Sequence, residues 1–230
     1  IDRVKTPGSL YVVATPIGNM GDISARACEV LAAVDFIAAE DTRHTGGLLQ
    51  KLGIKRPLVS YHDHNERGRS SQIVERLKAG EDAALVSDAG TPTISDPGYR
   101  LVRACREEEL AVLAVPGASA LLAALSISGL PTDRFCFEGF LPPKGKKRED
   151  RVSRILGSDC TSIIYESPHR LLKLVNSIAT IDPEREIVIT RELTKRYEEA
   201  LHGPSSELEQ QLVQRKSIKG EIVVLIRGVG

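Results

Sequence analysis

The feature that most constrains the fold is a four-residue apolar run, 83–86, that leads directly into a long loop of small and rigid residues. This loop, 87–98, contains Gly90, Pro92 and Pro97 among serine, threonine and aspartate residues. A short apolar run is typical of a strand in a buried parallel sheet, and open α/β sheets bind ligands at the carboxyl ends of their strands. Ordinary strand-to-helix turns use the same residue types but need only about two to six residues. The sequence therefore predicts an α/β fold with a ligand-binding loop here.

The same succession of strand, Gly/Pro loop and helix is repeated over the first 130 residues. Residues 9–14 predict a buried strand that ends in a second Gly/Pro loop, 15–22, and Ser24 is predicted to cap a helix over 25–34. Strands that alternate with helices of this length imply right-handed crossovers and a largely parallel sheet. The other predicted strands are 36–39, 57–61 and 111–115, and the other predicted helices are 48–52, 71–78, 99–108 and 120–128.

A domain boundary is predicted at the turn 129–133, because this Pro/Gly-containing segment follows a complete α/β layer. The predicted domains are therefore residues 1–130 and residues 131–230, both of the α/β class. The second domain is predicted to contain strands at 135–139, 162–166, 186–190 and 221–226, a further antiparallel strand at 197–202, and helices near 148–156, 169–178 and 206–213.

The amino-acid composition limits the classes of protein to which this sequence can belong. Apolar residues make up 41% of the 230, enough for a sizeable core, and Lys plus Arg equal Asp plus Glu at 31 each. The four cysteines form no C-x-x-C pair, and no apolar run approaches the ~18 residues that span a membrane. We therefore expect a soluble, cytoplasmic protein with reduced thiols. The sequence begins without Met and stops at Gly230, as expected for a trimmed chain.

One segment is strongly basic although the whole chain is neutral. Six Lys and Arg residues lie between residues 144 and 154, against two acidic ones. Such a cluster is either a solvated helix start or a surface that contacts phosphates, because Lys and Arg gain affinity for nucleic acid by releasing counterions. The basic residues are Lys144, Lys146, Lys147, Arg148, Arg151 and Arg154.

Several common catalytic signatures are missing. No G-x-G-x-x-G follows a predicted strand and no P-loop sequence occurs, so dinucleotide and nucleoside triphosphate sites lack their motifs. His62 and His64 form an H-x-H triplet, but no third ligand is visible, and we expect no metal site. Ser119 follows Pro116-Gly117 and not the G-x-S-x-G elbow of serine hydrolases.

Several stretches match one family, and they run in order from one end of the chain to the other. They include L-Y-V-V-A-T-P-I-G-N at 10–19, A-E-D-T-R at 39–43, S-D-A-G-T-P at 87–92 and Y-E-S-P-H-R at 165–170. With these motifs the sequence resembles the tetrapyrrole methylase family of S-adenosylmethionine-dependent methyltransferases. Within it, the match is to the branch that methylates a cytidine 2′-hydroxyl in small-subunit ribosomal RNA. Further matches are S-D-P-G at 95–98, P-G-A-S-A at 116–120, F-E-G-F-L-P at 137–142, R-E-L-T-K at 191–195 and G-E-I-V at 220–223.

The resemblance implies two α/β domains with S-adenosylmethionine in the cleft between them, and a homodimer. Some relatives carry a further small C-terminal domain, which this sequence does not reach. The cofactor contacts that the resemblance implies are Pro16, Asp88, Ala89, Gly90, Thr91, Ser119, Ala120, Tyr165 and Gly220.

A ribose 2′-hydroxyl is a poor nucleophile, so methyl transfer needs alignment and a route for the departing proton. Polar residues at strand ends are candidates for the acceptor site, with a helix cap or a salt bridge as the alternative role for each. They are Glu40, Asp41, Arg43, Glu166, His169, Arg170, Arg191 and Glu192. Of these, Arg43, Glu166 and His169 are the catalytic candidates. The predicted RNA contacts are Arg43, Lys144, Lys146, Lys147, Arg148 and Arg170.

Three functions remain open at this point. The first is 2′-O-methylation of small-subunit ribosomal RNA, either naked or in the assembled subunit. The second is methylation of a tetrapyrrole or a protein side chain on the same fold. The third is a non-catalytic protein that binds RNA or the ribosome.

Overall fold

The computed structural model describes residues 6–230, which divide between Ser119 and Ala120 into two compact units. We call residues 6–119 the N-terminal unit and residues 120–230 the C-terminal unit. Each unit is built on a five-stranded sheet with helices, which confirms the predicted α/β class. The domain boundary predicted at 130/131 stays a proposal. It differs from this division by the helix that follows Ser119.

The N-terminal unit contains one parallel sheet in the order β3-β2-β4-β1-β5. Its central strand β4 is buried along its whole length, as the apolar run predicted. The strands are β1 (Leu10–Val13), β2 (Phe36–Ala39), β3 (Leu58–Ser60), β4 (Ala83–Val86) and β5 (Val112–Val115). The helices are α1 (Ala25–Ala33), α2 (Thr42–Lys51), α3 (Glu66–Lys78) and α4 (Tyr99–Glu107), with a 3₁₀ turn at Met20–Asp22.

Two helices of this unit begin earlier than predicted. Helix α2 starts at Thr42 because the Asp41 carboxylate caps it, accepting hydrogen bonds from the backbone N–H groups of Arg43 and His44 at 2.8 and 3.3 Å. The predicted start at residue 48 was wrong since the glycine pair 46–47, a poor helix former, lies inside the helix. Helix α3 starts at Glu66 and not at residue 71, with a polar first turn that shows no apolar periodicity.

The C-terminal unit contains a mixed sheet in the order β6-β7-β10-β8-β9. Only β6 and β7 pair in parallel, whereas β10 lies antiparallel between β7 and β8, and β9 pairs antiparallel with β8 as predicted. The strands are β6 (Phe135–Phe140), β7 (Thr161–Glu166), β8 (Glu186–Arg191), β9 (Glu199–Pro204) and β10 (Ile222–Ile226). The helices are α5 (Ala120–Ile127), α6 (Lys146–Leu156), α7 (Pro168–Ile181) and α8 (Ser205–Val213).

A different set of helices packs on each face of the C-terminal sheet. Helices α6, α7 and α8 share one apolar cluster with the inward side chains of β7, β8 and β10, which include Ile164, Ile189 and Val224. Helix α5 packs over β10 and β7. Strand β10, in the middle of the sheet, is apolar and buried at all five positions, unlike the alternating strands of a one-sided sheet. The edge strands β6 and β9 are partly exposed. Within residues 6–230, no helix is both long and apolar enough to cross a bilayer.

Candidate functional site

In the N-terminal unit, two of the predicted cofactor loops meet at the carboxyl ends of β1 and β4. Thr15 and Gly90 form a two-residue bridge in which each backbone N–H donates to the other's carbonyl oxygen, at 2.9 and 3.0 Å. The Thr15 hydroxyl also donates to the Ser87 carbonyl oxygen at 3.2 Å. The bridge brings the loop that contains Pro16 against the loop at 88–91.

The loop after β5 joins the same edge of the sheet. The Thr91 hydroxyl donates to the carbonyl oxygen of Ala118 at 3.1 Å, one residue before Ser119. Gly117 lies so close to β1 that an added Cβ would stand 3.0 Å from the Cβ of Ala14. The carboxyl ends of three neighbouring strands thus present their loops together, as expected for ligand binding in a parallel sheet.

Backbone strain is concentrated in the central loop, 87–98. Thr93 and Ser95 have φ values of +74° and +62°, in the left-handed region that a β-branched threonine strongly disfavours. Gly90 has φ +82° and Gly98 has φ +136°. A Cβ at Gly98 would stand 2.8 Å from the Leu85 side chain. Strained residues held by surrounding structure cluster at ligand sites, which supports the assignment of this loop as a binding element.

Hydrogen bonds to two carboxylates connect the end of β2 to the end of β4 at this edge. The Asp41 backbone N–H donates to the Asp88 carboxylate at 3.1 Å, and the Asp88 backbone N–H donates to the Glu40 carboxylate at 3.4 Å. Asp88, a predicted cofactor contact, is therefore held by backbone and side-chain groups of the loop after β2.

Burial changes the acidity of this edge. Desolvation raises the pKa of Glu40, with the negative charge of Asp96 adding to the effect. Desolvation likewise raises the pKa of Asp96, and a hydrogen bond from Ser87 opposes it. Sequence reasoning missed Asp96 because aspartate in a turn looks like an ordinary turn residue; the signal available was its place in the S-D-P-G motif after β4.

Arg43 extends into solvent from the first turn of α2. Its side chain is 93% exposed, and its Nε lies 3.7 Å from the Asp41 carboxylate. The backbone N–H groups of Arg43 and His44 lower the pKa of Asp41. Arg43 is thus accessible to a large substrate, while Asp41 is the helix cap that sequence reasoning gave as its alternative role.

In the C-terminal unit, the ends of three strands meet at one edge of the sheet. Ile222, the first residue of β10, pairs with both Glu166 of β7 and Arg191 of β8. Tyr165 and Gly220 therefore lie near the same edge. The Tyr165 hydroxyl accepts a hydrogen bond from the Leu121 backbone N–H at 3.1 Å, which brings the start of α5 and Ala120 to Tyr165.

Gly220 has no space for a side chain. Its φ is +98°, and a Cβ there would stand 2.5 Å from Cγ of Glu192. The Glu192 carboxylate accepts hydrogen bonds from the Glu221 backbone N–H at 2.9 Å and from Nζ of Lys195 at 3.0 Å. These bonds, the amide first, lower the pKa of Glu192. Glu192 itself has φ +54°, so this strand end is also strained.

Glu166 is the centre of a buried ion network. Its side chain is 0% exposed, and its two oxygens accept hydrogen bonds from Nη2 of Arg148 at 2.6 Å and from Nε of Arg170 at 2.8 Å. The Arg148 side chain is 4% exposed and also donates to the Pro142 carbonyl oxygen at 3.1 Å. These positions correct two predictions. Arg148 is too buried to be a surface contact for RNA, and Glu166 is fully buried between two arginines, out of reach of a substrate hydroxyl.

Four of the other predicted C-terminal residues are accessible. Lys144, Lys146 and Lys147 are exposed at the start of α6, and His169 is exposed in the first turn of α7. Arg151, on the same helix as the lysines, is paired with the Glu138 carboxylate at 2.8 Å. In the described part of the chain, no group of three or more His, Cys, Asp and Glu side chains is placed to hold a metal ion.

Residues 9–209 match the family described as Tetrapyrrole (Corrin/Porphyrin) Methylases. The chain belongs to this family of methylases. Curated relatives named "Ribosomal RNA small subunit methyltransferase I" align over nearly all of it. The protein of Haemophilus influenzae is 50% identical over 96% of this chain and 79% of its own length. That of Escherichia coli O157:H7 is 51% identical over 97% and 79%.

Solved structures of low sequence identity share the fold. Uroporphyrin-III-C-methyltransferase from Thermus thermophilus superposes with a TM-score of 0.65 at 19% identity, covering 95% of this chain and 94% of that one. Diphthine synthase superposes with a TM-score of 0.71 at 14% identity, covering 96% and 90%. At these identities the similarity establishes the methylase fold alone.

Proposed function

We propose that this methylase transfers a methyl group from S-adenosylmethionine to the 2′-hydroxyl of a cytidine in small-subunit ribosomal RNA. The observation that carries the proposal is the identity of about one half, over nearly the whole chain, with curated relatives named for ribosomal RNA small subunit methylation. The strained loops at the sheet edge and the exposed basic segment support it. The cytoplasm, where ribosomal subunits are assembled in bacteria such as the relatives' sources, is the compartment that this substrate implies.

The N-terminal residues fit S-adenosylmethionine by their chemistry. Gly90 is buried at a close approach, with Ile17 Cγ2 only 3.3 Å from where a Cβ would be, so this loop offers backbone groups instead of side chains. The carboxylates of Asp88 and Glu40 supply negative potential, which favours a cationic sulfonium. When bound, the cofactor supplies an electrophilic methyl group. Pro16, Asp88, Ala89, Gly90, Thr91 and Ser119 are the proposed contacts from this unit.

The C-terminal residues proposed for the cofactor are Ala120, Tyr165 and Gly220. The hydrogen bond between the Leu121 N–H and Tyr165 fixes the first two relative to each other. Tyr165 is further held by edge-on contacts with the rings of Phe137 and Phe140, at centroid distances of 4.9 and 5.7 Å. A rigid aromatic ring beside a helix start suits a planar ligand group.

Proton removal from the acceptor hydroxyl requires a base with access to the substrate. Glu40 combines a strand-end position with a raised pKa, which is how a carboxylate becomes a more effective base near neutral pH. Exposed His169 is the second candidate. We assign Arg43 to the RNA phosphates, together with Lys144, Lys146, Lys147 and Arg170, because guanidinium and ammonium groups bind phosphate oxygens.

The proposal includes a homodimer, supported by one exposed apolar edge. Strand β5 pairs only with β1 among the described strands, and Leu113 in its middle is 44% exposed. An uncovered apolar edge strand is a site for association. A mass in solution of twice the chain mass would support this assembly, and a monomer mass at all concentrations would contradict it.

Labelled S-adenosylmethionine with three acceptors tests the activity. The acceptors are assembled small subunits and naked ribosomal RNA, both lacking the modification, and a tetrapyrrole. We expect label in the ribose of a cytidine in at least one RNA acceptor, determined by nucleoside digestion. Label in a base would overturn the 2′-O assignment, and label in the tetrapyrrole alone would overturn the RNA assignment. If calorimetry shows no S-adenosylmethionine binding, the proposed cofactor and the methyl transfer that depends on it are both wrong.

A further inference from the structure

The network of Arg148, Glu166 and Arg170 holds two positive charges around one negative charge. Glu166 Oε2 accepts from Arg148, whereas Oε1 accepts from Arg170 and from the Ser167 backbone N–H, both at 2.8 Å. Arg148 and Glu166 are buried, but the Arg170 side chain is 33% exposed. The net positive charge of the network therefore reaches solvent at Arg170.

The position of Arg170 in α7 is electrostatically unfavourable for a cation. It lies in the first turn, where the aligned peptide dipoles carry partial positive charge, and this turn contains no acidic residue. Glu166, just before the N-cap Ser167, offsets part of that cost. Since one carboxylate cannot neutralise two guanidinium groups and a helix N-terminus, the arrangement favours a second anion on the exposed side of Arg170.

The way Arg170 is held suits a particular anion. Among the described residues, the side-chain hydrogen bond of Arg170 runs from Nε to Glu166. A guanidinium fixed through Nε has a set plane, and its two Nη groups form a fork that matches two oxygens of a phosphate. A lysine at this position would carry the same charge without that geometry.

We propose that Glu166 and Arg148 are positioning residues that hold Arg170 as a clamp for one phosphodiester of the acceptor RNA. The inference rests on the proposed RNA substrate. A buried ion pair contributes little net stability compared with apolar residues of similar size, so orientation of Arg170 is the property that the pair supplies. This reassigns Glu166 from proton transfer to substrate positioning.

Arg170→Gln and Arg170→Lys test the clamp, with Lys173→Gln, an exposed charge farther along α7, as the matched control. RNA affinity is measured against salt concentration, and KM for RNA and for S-adenosylmethionine are measured separately. We expect Arg170→Gln to weaken RNA binding roughly ten- to hundredfold. The slope of log affinity against log salt should fall by about 0.7 to 0.9. Arg170→Lys should lose most of the same RNA affinity. In both variants the KM for the cofactor should stay near wild type. The control Lys173→Gln should bind RNA nearly as wild type does.

A double variant, Arg148→Met with Glu166→Gln, tests the positioning role without leaving a buried charge unpaired. Provided that its far-UV circular dichroism matches wild type, we expect RNA affinity to fall as in Arg170→Lys although Arg170 is still present. Wild-type affinity in Arg170→Lys or in the folded double variant would overturn the clamp. A changed cofactor KM with unchanged RNA KM would assign the anion to the cofactor instead. If wild type itself methylates no RNA, it is the proposed function that fails.

Discussion

Thr15 and Gly90 are joined by two backbone hydrogen bonds, although 75 positions separate them in the sequence. The pair ties the loops after β1 and β4 into one surface, and Gly90 supplies the positive φ that the second loop needs. The conformation of this loop therefore depends on a residue without a side chain.

Replacing Gly90 with alanine should loosen this surface. The residue has φ +82° and would bring a Cβ to 3.3 Å from Ile17 Cγ2, so we expect a loss of about 1–2 kcal/mol in the free energy of unfolding. Calorimetry should show weaker S-adenosylmethionine binding. Gly47→Ala is the control, because nothing lies within 4 Å of its Cβ and alanine favours the helix interior by about 1 kcal/mol. Equal cofactor binding by Gly90→Ala and wild type would remove this loop from the cofactor site.

In the C-terminal unit, alanine substitutions at two glycines distinguish the effect of a steric clash from that of backbone strain. Gly129 and Gly220 both have positive φ, but a Cβ at Gly129 would meet nothing within 4 Å, whereas one at Gly220 would stand 2.5 Å from Glu192. We expect Gly129→Ala to lose about 1 kcal/mol from strain alone. Gly220→Ala should lose clearly more in a urea titration and should weaken cofactor binding. Equal losses of stability in the two variants would show that the close approach to Glu192 adds nothing to the effect of backbone strain.

The exposed acceptor candidates should affect transfer and not cofactor affinity. Arg43 and His169 are both exposed, so alanine at either position leaves the packing intact. We expect Arg43→Ala and His169→Ala to bind S-adenosylmethionine as wild type does and to lose methyl transfer to RNA. Lys51→Ala, an exposed charge in the last turn of α2, is the control. Normal transfer by both variants would exclude them from the acceptor site.

Replacing Glu40 should raise the stability of the protein and lower its activity. Burial raises the pKa of its carboxyl group, so the folded state disfavours the charged form and stability falls as pH rises past the ordinary carboxylate pKa. Glu40→Gln keeps an oxygen for the Asp88 N–H and removes that penalty. We expect a higher melting temperature at pH 7 together with slower methyl transfer. The exposed Glu29→Gln should change neither, and an unstable Glu40→Gln would contradict this electrostatic account.

Low pH should destabilise the C-terminal unit through protonation of Glu199. Hydrogen bonds from Arg215, and then from Arg191, lower the pKa of this carboxyl group from 4.5 to about 2. A lowered pKa gives stability that is present above pH 4.5 and is lost as pH falls toward about 2. Glu199→Gln should therefore be less stable than wild type at pH 6, with the difference shrinking toward pH 2. The exposed Glu207→Gln on α8 is the comparison, and a constant difference across this range would refute the linkage.

The periodic parts of the fold are predictable from the sequence, because apolar runs and Gly/Pro loops are local signals. The buried strand β4, the parallel sheet around it and the antiparallel strand β9 all agree with prediction. The start of α2 does not, since a side-chain cap at Asp41 outweighs the two glycines inside the helix.

The environments of charged side chains are less predictable. Arg148 stands in a basic run with three exposed lysines, and nothing local distinguishes it from them. It is buried beside its ion-pair partner Glu166, 18 residues away on strand β7. Similarly, the pKa of Glu40 is raised by burial first and then by the charge of Asp96, and both depend on the packing of β2 beside β4. Such pairings follow from tertiary structure and have no sequence period.

Strand β10 is the last described strand in the sequence, yet it occupies the middle of its sheet, between β7 and β8. During synthesis, those two strands have no hydrogen-bonding partner for their facing edges until residues 222–226 have left the ribosome. The C-terminal unit must therefore acquire its central pairing late, through contacts between residues far apart in sequence, which is a slow kind of folding step. Until then its nascent chain exposes apolar strand edges, and such edges are prone to aggregation.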